Sequence, residues 1–315
     1  MTRLSNTALD VFPLCLGGNV FGWTADERQS FEVLDAYAAA GGNFIDTADA
    51  YSAWQPGHEG GESEAILGRW MSARKNRDRI VIATKVGLHP ALKGLSAKTI
   101  RAASEGSLRR LQTDRIDLYY AHRDDPSTPL RETVGALDEL VRTGKVRYIA
   151  ASNYSAERLA EALSISKRED WARFVALQPH YNLVHRSEYE GEVAALCARE
   201  GVACLPYYAL AKGFLTGKYR PGVPVESARA AGASAYLNED GTRVLEALRA
   251  VAEAHGSTYA AVAIAWLLTR PTVAAPIASA RTLEQLGEIL PGANLRLTPD
   301  EVQRLTAASD RSGTF

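Results

Sequence analysis

The strongest constraint on the fold of this chain is an alternation of short apolar segments with segments of helical periodicity. Short apolar runs bounded by polar turns are typical of strands buried on both faces of a parallel sheet. Eight strands are predicted, at residues 13–16, 43–46, 79–85, 116–122, 146–151, 174–178, 202–206 and 273–277. Helices are predicted at residues 26–40, 62–73, 96–111, 130–142, 188–199, 239–255, 258–269, 282–290 and 299–308, and another begins after Ser155. Eight such units in 315 residues favour a closed (β/α)8 barrel of the TIM type over an open, doubly wound α/β sheet.

The two ends of the chain add to this repeating pattern. Residues 1–12 predict a small N-terminal β-hairpin, and the helices near the C-terminus exceed the number that a barrel needs. No GxGxxG motif follows the first strand, which argues against a dinucleotide-binding Rossmann fold. No linker divides the sequence, so residues 1–315 are predicted to form a single domain. The loop at 208–238 is too long for a bare connection and is predicted to be functional.

Composition excludes several classes of partner. The formal net charge is −1, from 36 basic and 37 acidic residues, so no basic surface for nucleic acid is expected. No apolar run approaches the roughly 18 residues that a membrane helix needs, and the N-terminus lacks an apolar signal core. Cys15, Cys197 and Cys204 form no CxxC pair, so free thiols in a reducing cytoplasm are expected. A small-molecule substrate is the predicted partner, and these patterns leave the oligomeric state open.

Polar residues stand at the predicted carboxyl ends of the strands, which form the active-site face of a (β/α)8 barrel. They are Asp46, Lys85, His122, Ser152, Asn153, Gln178 and Tyr207, and Tyr51 follows five residues after Asp46. Each one alone has an ordinary structural explanation, such as a capping aspartate, a solvated lysine or a packing histidine. Because all of them fall at one end of the predicted barrel, the set predicts an active site.

Four of these side chains have the chemistry of a proton donor. A phenol titrates near pH 10 and is a poor acid at neutral pH, and a buried ammonium beside it is expected to lower its pKa. Tyr51 is therefore predicted to be the general acid and Lys85 the group that tunes it. Asp46 would hold the ammonium of Lys85, and a neutral His122 would orient a substrate oxygen.

Two carboxylates, Asp124 and Asp125, follow His122 closely. Carboxylates at the mouth of a barrel are a type of group that binds cations. No HxH or HExxH motif accompanies them, so no metal site is predicted.

Three segments resemble the aldo-keto reductase superfamily, and the match extends over nearly the full chain. Residues 42–51, GNFIDTADAY, are similar to the first signature of that family, and residues 118–122, LYYAH, resemble the segment that carries its histidine. Lys85, within TKVG, stands at the position of the family lysine. The resemblance is to bacterial members of the branch that includes the potassium-channel β-subunits. It implies NADP(H)-dependent reduction of an aldehyde or ketone, or the reverse oxidation, with a hydride passing between nicotinamide C4 and the carbonyl carbon.

The same resemblance implies a set of cofactor-binding residues. Ser152, Asn153 and Gln178 would bind the nicotinamide carboxamide, and Tyr207 would stack under the ring. Residues 208–218 resemble the loop that folds over the pyrophosphate. The remaining implied cofactor contacts are Gly18, Asn19, Tyr208, Leu210, Gly213, Lys218 and Arg229.

The last barrel helix is implied to bind the adenosine end of the cofactor. Ala280 and Arg281 open this helix, where amides and a guanidinium would attract the 2′-phosphate of NADP. Gln285 and Glu288 would face adenine. Two positions depart from the family pattern, because Tyr208-Ala209 replaces a common Ser-Pro pair and Ile289 replaces a common asparagine. NAD(H) is therefore kept as an alternative to NADP(H).

The substrate pocket is predicted only at its mouth. Trp23 and Trp54, with the loops at 52–61, 88–94 and 123–129, are expected to line it. Aromatic walls suit an apolar or sugar-like carbonyl compound.

Two other functions remain open from the sequence. Lys85 at a strand end also fits a Schiff-base lyase, in which the lysine is the nucleophile. A redox sensor or subunit that binds the cofactor with little turnover is the second alternative, since some relatives are regarded in that way.

Overall fold

The computed structural model describes residues 1–220, 225 and 230–310. Its strands are β1 (Thr2–Arg3), β2 (Asp10–Val11), β3 (Cys15–Gly17), β4 (Phe44–Asp46), β5 (Val81–Val86), β6 (Leu88–His89), β7 (Leu92–Lys93), β8 (Ile116–Ala121), β9 (Val146–Ser152), β10 (Phe174–Gln178), β11 (Ala203–Cys204) and β12 (Ile277–Ala278). Its helices are α1 (Glu27–Ala39), α2 (Glu62–Arg74), α3 (Ala97–Leu111), α4 (Leu130–Arg142), α5 (Ala156–Glu169), α6 (Glu192–Glu200), α7 (Ala230–Ser234), α8 (Glu239–Ala254), α9 (Tyr259–Leu268), α10 (Leu283–Ile289) and α11 (Pro299–Ser309). Short 3-10 turns cover Arg77–Arg79, Ala211–Thr216 and Leu290–Ala293.

Eight of the strands form one curled parallel sheet, in the order β11-β10-β9-β8-β5-β4-β3-β12. Hydrogen bonds from Cys204 N to Thr272 O (2.7 Å) and from Ile277 N to Pro206 O (2.8 Å) connect the chain around β11 with the segment that leads into β12. The same segment pairs with β3 through Ile277 and Ala278. These contacts bring the two ends of the sheet together, as the predicted (β/α)8 barrel requires.

Regular pairing is shorter than predicted at the last two strands. The predicted strand at 202–206 is reduced to β11, and the one at 273–277 to a β12 that extends one residue further. A proline interrupts each of them, Pro206 and Pro276, and proline has no amide hydrogen to donate to a ladder. Both carbonyl groups still accept bonds, and that of Pro276 binds Cys15 N at 2.9 Å.

The predicted N-terminal hairpin is present, since β1 and β2 pair antiparallel, with Thr2 opposite Val11. A second antiparallel hairpin, β6–β7, was not predicted. Helix α6 begins at Glu192, later than the predicted start at 188, because Gly191 lies at φ 103°, outside the helical region. Ser96 and Ser155 cap helices as predicted, by accepting bonds from Thr99 N and Arg158 N. None of the described helices is long and apolar enough to cross a membrane.

Alternation along the strands separates two buried clusters. Val81 and Ala83 on β5 belong to the cluster inside the curled sheet, with Leu4 and Leu9 of the N-terminal hairpin segment. Ile82 belongs to the cluster between the sheet and the helices. Because side chains alternate along a strand, a residue two positions after an inward-facing residue also faces the inside of the sheet. The inward-facing residues at the strand ends are Asp46 after Phe44, Lys85 after Ala83, Ser152 after Ala150 and Gln178 after Ala176.

Candidate active site

The centre of the candidate site is a buried ion pair between Asp46 and Lys85. Lys85 Nζ lies 2.6 Å from Asp46 Oδ2, and the lysine side chain is 0% exposed. It also donates to the carbonyl oxygen of Thr47 at 2.8 Å and to Tyr51 Oη at 2.8 Å. Tyr51 Oη in turn donates to Asp46 Oδ2 at 3.1 Å. The structure therefore brings together the carboxylate, the ammonium and the phenol that the sequence predicted as a unit.

The register of the sheet accounts for this meeting of distant residues. Asp46 pairs with Ala83, two residues before Lys85, and with Gly17 on the other side. Gly18 N donates to Asp46 O at 2.7 Å. A Cβ at Gly18 would lie 3.0 Å from that oxygen and 2.8 Å from Ser63 Oγ, so the close approach requires glycine. Gly18, expected at the cofactor, supports the strand end from behind and is absent from the cleft lining.

Gln178 holds the free oxygen of the central carboxylate. Its Nε2 donates to Asp46 Oδ1 at 2.8 Å, and its backbone oxygen accepts a bond from Ser152 Oγ at 2.9 Å. Asn153 Nδ2 donates to Ser152 Oγ at 3.0 Å, and Asn153 Oδ1 accepts from Tyr207 Oη at 2.9 Å. The four residues implied to surround the nicotinamide thus form one hydrogen-bonded group that lines the cleft.

His122 lies beside the tyrosine, with a distance of 6.2 Å between the two ring centroids. Its backbone is held by bonds from His122 N to Val86 O (3.0 Å) and from Asn153 Nδ2 to His122 O (3.1 Å). Burial lowers the pKa of His122 well below its ordinary value of 6.5, and the charges of Lys85 and Arg123 lower it further. The imidazole is therefore neutral at physiological pH, as predicted for a group that orients a carbonyl oxygen.

The pKa of the central phenol moves in the direction opposite to the prediction. Burial raises the pKa of Tyr51 well above its ordinary value of 10, and the nearby carboxylate of Asp46 raises it further. The physical reason is that a phenolate here would be desolvated beside a negative group. Burial also lowers the pKa of the Lys85 ammonium, an effect that Asp46 opposes. Tyr51 is consequently protonated in the resting site.

A long cleft of about 630 Å³ runs from this centre along the carboxyl ends of the strands. Its lining includes the expected residues Asn19, Tyr208, Leu210, Gly213, Lys218, Arg281, Gln285 and Glu288. Ala280 is fully buried and is absent from that lining. Arg229 lies outside the described residues. Apart from Gly18, Ala280 and Arg229, the cofactor residues implied by the sequence therefore share one cavity.

The far end of the cleft is held by local hydrogen bonds. Asn19 Oδ1 accepts a bond from Ser279 Oγ at 2.6 Å, which ties the end of β3 to the end of β12. Arg281 N donates to Gln285 Oε1 at 3.0 Å. In the loop at 211–216, Lys212 and Gly213 lie in the left-handed region, with φ of 58° and 95°. This turn presents Lys212 and Lys218 along the same cavity.

The predicted substrate mouth is aromatic. Trp23 and Trp54 are in edge-to-face contact at 5.4 Å between centroids, and Trp54 lies 6.1 Å from Tyr51. Both tryptophans line the cleft, and Trp54 is 50% exposed. Leu88, from the unpredicted β6–β7 hairpin, also lines it. These three side chains give the mouth an apolar wall beside Tyr51.

The two carboxylates after His122 are engaged in bonds of their own. Asp124 forms an ion pair with Arg158 at 2.8 Å. Asp125 accepts bonds from Leu95 N and Thr128 Oγ1, each at 2.8 Å. Both therefore organise the loop at the mouth.

A histidine pair that the sequence did not single out supports Tyr207. His180 stacks on Tyr207 at 5.4 Å, and on its other neighbour, His185, at 3.7 Å between centroids. Glu188 lies 3.0 Å from His185, so these three residues offer ligand atoms within 4.8 Å of one another. The two imidazole planes are only 13° apart, so their in-plane lone pairs do not converge on one point. The arrangement is a stacked support behind Tyr207. Its sequence signal was the position of His180 just after Gln178.

Comparison with known proteins agrees with this geometry. A family model described as "Aldo/keto reductase family" matches residues 13–310. The chain is 34% identical over 315 residues to "Uncharacterized oxidoreductase YrpG" of Bacillus subtilis, covering 96% of this chain and 94% of that protein. It is 34% identical over 318 residues to the "Probable voltage-gated potassium channel subunit beta" of Oryza sativa subsp. japonica, covering 97% and 95%. It is 32% identical over 319 residues to "Norsolorinic acid reductase B" of Aspergillus parasiticus, covering 96% and 81%.

These similarities confirm the resemblance inferred from the sequence, including its likeness to potassium-channel β-subunits. The family is one of (β/α)8 barrels, and the curled eight-stranded parallel sheet agrees with that architecture. The match covers both the strand ends that carry Asp46 and Lys85 and the C-terminal part of the cleft. The chain belongs to the aldo/keto reductase family.

Proposed function

We propose that this protein is an NADP(H)-dependent carbonyl reductase in which Tyr51 donates a proton to the substrate oxygen. The observation that carries this proposal is the hydrogen-bonded unit of Asp46, Lys85 and Tyr51 beside His122, at the edge of a long cleft. The unit has the parts of a general acid: the phenol of Tyr51 is protonated at neutral pH, and the ammonium of Lys85 lies 2.8 Å from its oxygen, where it can stabilise the phenolate that proton transfer leaves. A protonated donor suits reduction of a carbonyl compound.

The residues of the cleft fit a dinucleotide. At one end, Ser152, Asn153 and Tyr207 offer hydrogen-bonding groups and an aromatic face, which suit a nicotinamide ring. At the other end, Lys218 and Arg281 form no ion pair with any described residue, and their charges suit phosphate groups. Arg281 favours a 2′-phosphate and hence NADP(H) over NAD(H). When bound, the cofactor supplies a hydride to the carbonyl carbon.

The protein's own groups handle the proton. His122, neutral at physiological pH, donates a hydrogen bond to the carbonyl oxygen and orients it toward Tyr51. The hydroxyl of Tyr51 passes its proton to that oxygen as the alcohol forms. Lys85 Nζ, which already donates to Tyr51 Oη at 2.8 Å, stabilises the phenolate left behind. Asp46 and Gln178 keep the ammonium in position, and Tyr51 regains a proton from solvent.

The whole chain is proposed to act as one catalytic unit. The cleft takes lining residues from Gly17 to Ile289, so both halves of the sequence contribute to it. Within the described chain, neither half of the sequence alone contains all of the residues that line the cleft.

The Schiff-base alternative receives no support from the surroundings of Lys85. Its ammonium donates to Asp46, Thr47 and Tyr51, and the side chain is fully buried. A lyase nucleophile needs a free amine that reaches the substrate. Borohydride is therefore expected not to trap a carbonyl substrate on this lysine.

The test is the variant Tyr51→Phe, which removes one oxygen and keeps the ring. The rate of aldehyde-dependent NADPH oxidation should fall by about 10²–10⁴-fold, the usual contribution of a general acid. The dissociation constant for NADPH should stay within about twofold, because the phenyl ring still fills its space. The same assay with NADH in place of NADPH measures the cofactor preference.

Tyr119→Phe is the matched control for this test. Tyr119 belongs to the buried cluster between the sheet and the helices, and its hydroxyl has no hydrogen-bond partner among the described residues. Parental turnover by Tyr51→Phe would refute the proton-donor assignment. Tight NADPH binding by the parent without turnover of any aldehyde in a broad panel would favour the sensor or subunit function instead.

A further inference from the structure

We propose that Arg123 selects carbonyl substrates that carry a carboxylate on an aromatic or other flat apolar body. The residue follows His122 directly, is exposed, and lines the cleft. Its guanidinium makes no hydrogen bond or ion pair within residues 1–220, 225 and 230–310. This inference rests on the proposed reductase function and assigns the substrate class of the same site.

The nearest carboxylates in the chain do not neutralise this arginine. Asp124 is taken by Arg158, which binds it through Nε at 2.8 Å and Nη2 at 2.9 Å. Asp125 is taken by Leu95 N, Ser127 and Thr128. The positive charge of Arg123 is therefore left facing the cavity.

The charge of Arg123 is close to the reacting end of the cleft. It lowers the pKa of His122, and it opposes the rise in the pKa of Tyr207 that burial causes. Lys218 and Arg281, in contrast, lie along the part of the cavity that suits cofactor phosphates. Asp46 at this end is already paired with Lys85, and Glu188, whose charge also acts on Tyr207, lies 3.0 Å from His185. A bound nicotinamide ring carries no anionic substituent for Arg123 to recognise, so a substrate carboxylate is the anion that this arginine suits.

The rest of the mouth specifies the body of the substrate. Trp23 and Trp54 meet edge to face beside Tyr51, and Leu88 is 39% exposed in the same wall. A flat apolar group packs well on such a surface. A guanidinium binds a carboxylate through two parallel hydrogen bonds, which makes recognition directional as well as charge-dependent.

The experiment compares two aldehydes that differ in one charge. The probes are 4-formylbenzoate and its methyl ester, which share the ring, the aldehyde and an electron-withdrawing substituent. The value of kcat/KM is measured for both with the parent, Arg123→Gln and Arg123→Lys. Arg109→Gln is the matched control, because Arg109 is an exposed arginine on α3 outside the cleft.

The loss of one charge-assisted bidentate contact should lower kcat/KM for 4-formylbenzoate by about 10- to 100-fold in Arg123→Gln. The value for the ester should change by less than about threefold, since the ester makes no ionic contact. Arg123→Lys should lie between the parent and Arg123→Gln for the acid, because it keeps the charge and loses the planar fork. Added salt should lower kcat/KM for 4-formylbenzoate and leave that for the methyl ester unchanged, because only the acid makes an ionic contact.

Several results would overturn the inference. If the ratio of kcat/KM for 4-formylbenzoate to that for the methyl ester is the same in Arg123→Gln as in the parent, the arginine is only solvated. An equal loss for both aldehydes, or a weaker NADPH dissociation constant, would assign Arg123 to His122 or to the cofactor. A parent that reduces other aldehydes of the broad panel but not 4-formylbenzoate would overturn the inference and leave the proposed function standing. If the parent reduces no aldehyde of the panel, the proposed function fails, and quenching of tryptophan fluorescence by 4-formylbenzoate in the NADPH-loaded protein then decides the inference. Equal quenching in the parent and Arg123→Gln would refute it.

Discussion

The two ends of the cleft differ in how their charges are satisfied. At the proposed catalytic end, Lys85 and Asp46 are buried, and every polar atom of the pair has a partner within the protein. At the far end, Lys218 and Arg281 form no ion pair with any residue that the structure describes. A buried charge must be paired by the fold itself, whereas an exposed cation is compensated by water until an anion arrives. Folding itself thus compensates the charges at the proposed catalytic end, whereas the two cations at the far end remain available for the phosphates of the proposed cofactor.

The largest expected effect comes from breaking the catalytic end. Lys85→Met removes the ammonium and leaves the Asp46 carboxylate buried without a cation. Turnover should fall by at least about 10²-fold, as expected when a general acid loses the ammonium that stabilises its phenolate, and the free energy of unfolding should fall by about 3–5 kcal/mol. Denaturant unfolding and NADPH-coupled kinetics measure the two quantities.

The double variant Asp46→Asn/Lys85→Met separates these two losses. It removes both charges, so stability should recover in part while activity stays low. A stable Lys85→Met protein would contradict the view that folding itself depends on this pair.

A smaller effect, on binding alone, is expected at the far end. Arg281→Leu should raise the dissociation constant for NADPH by about 10- to 100-fold, because one charge-assisted contact to a phosphate is lost. The dissociation constant for NADH, which lacks the 2′-phosphate, should rise by less than about threefold. The free energy of unfolding should change by less than about 0.5 kcal/mol. Fluorescence titration with the two cofactors provides the comparison. Equal losses for NADPH and NADH would remove the 2′-phosphate assignment.

Asp49 is the exception at the catalytic end, and it gives the finest test of the comparison. It is 1% exposed, and neither carboxyl oxygen has a hydrogen-bond partner among the described residues. Burial raises its pKa to about 8, and the charge of Glu64 adds to the rise. The folded protein therefore keeps this proton between about pH 4 and 8, where the unfolded chain loses it, so stability should decline as pH rises through that window.

Asp49→Asn removes this titration. The stability of the parent relative to the variant should fall by up to about 1.4 kcal/mol per pH unit between about pH 5 and 7. Urea unfolding at several pH values measures it, with the exposed Asp300→Asn as the control. Parallel stability curves for the parent and Asp49→Asn would mean that the Asp49 carboxyl finds a partner in solution.

Much of the proposed catalytic site was predictable from the sequence because it depends on strand ends and alternation. A polar residue two positions after an inward-facing apolar residue also faces inward, and parallel strands end at the same edge of a sheet. Asp46, Lys85 and Gln178 follow that rule. Gly18 and Ala280 were predicted to line the cleft and do not. The prediction was wrong because the sequence does not distinguish a residue that lines a cavity from one that supports its wall.

The alternation of apolar segments, the eight strands and the set of strand-end side chains were determined by the sequence alone, since they follow from periodicity and order. Tertiary structure decided which partner each charge has. Asp124 has Arg158 and Asp46 has Gln178, while Arg123 is left facing the cavity. It also decided the direction of the pKa of Tyr51, because desolvation and a carboxylate at 3.1 Å depend on residues brought together by folding.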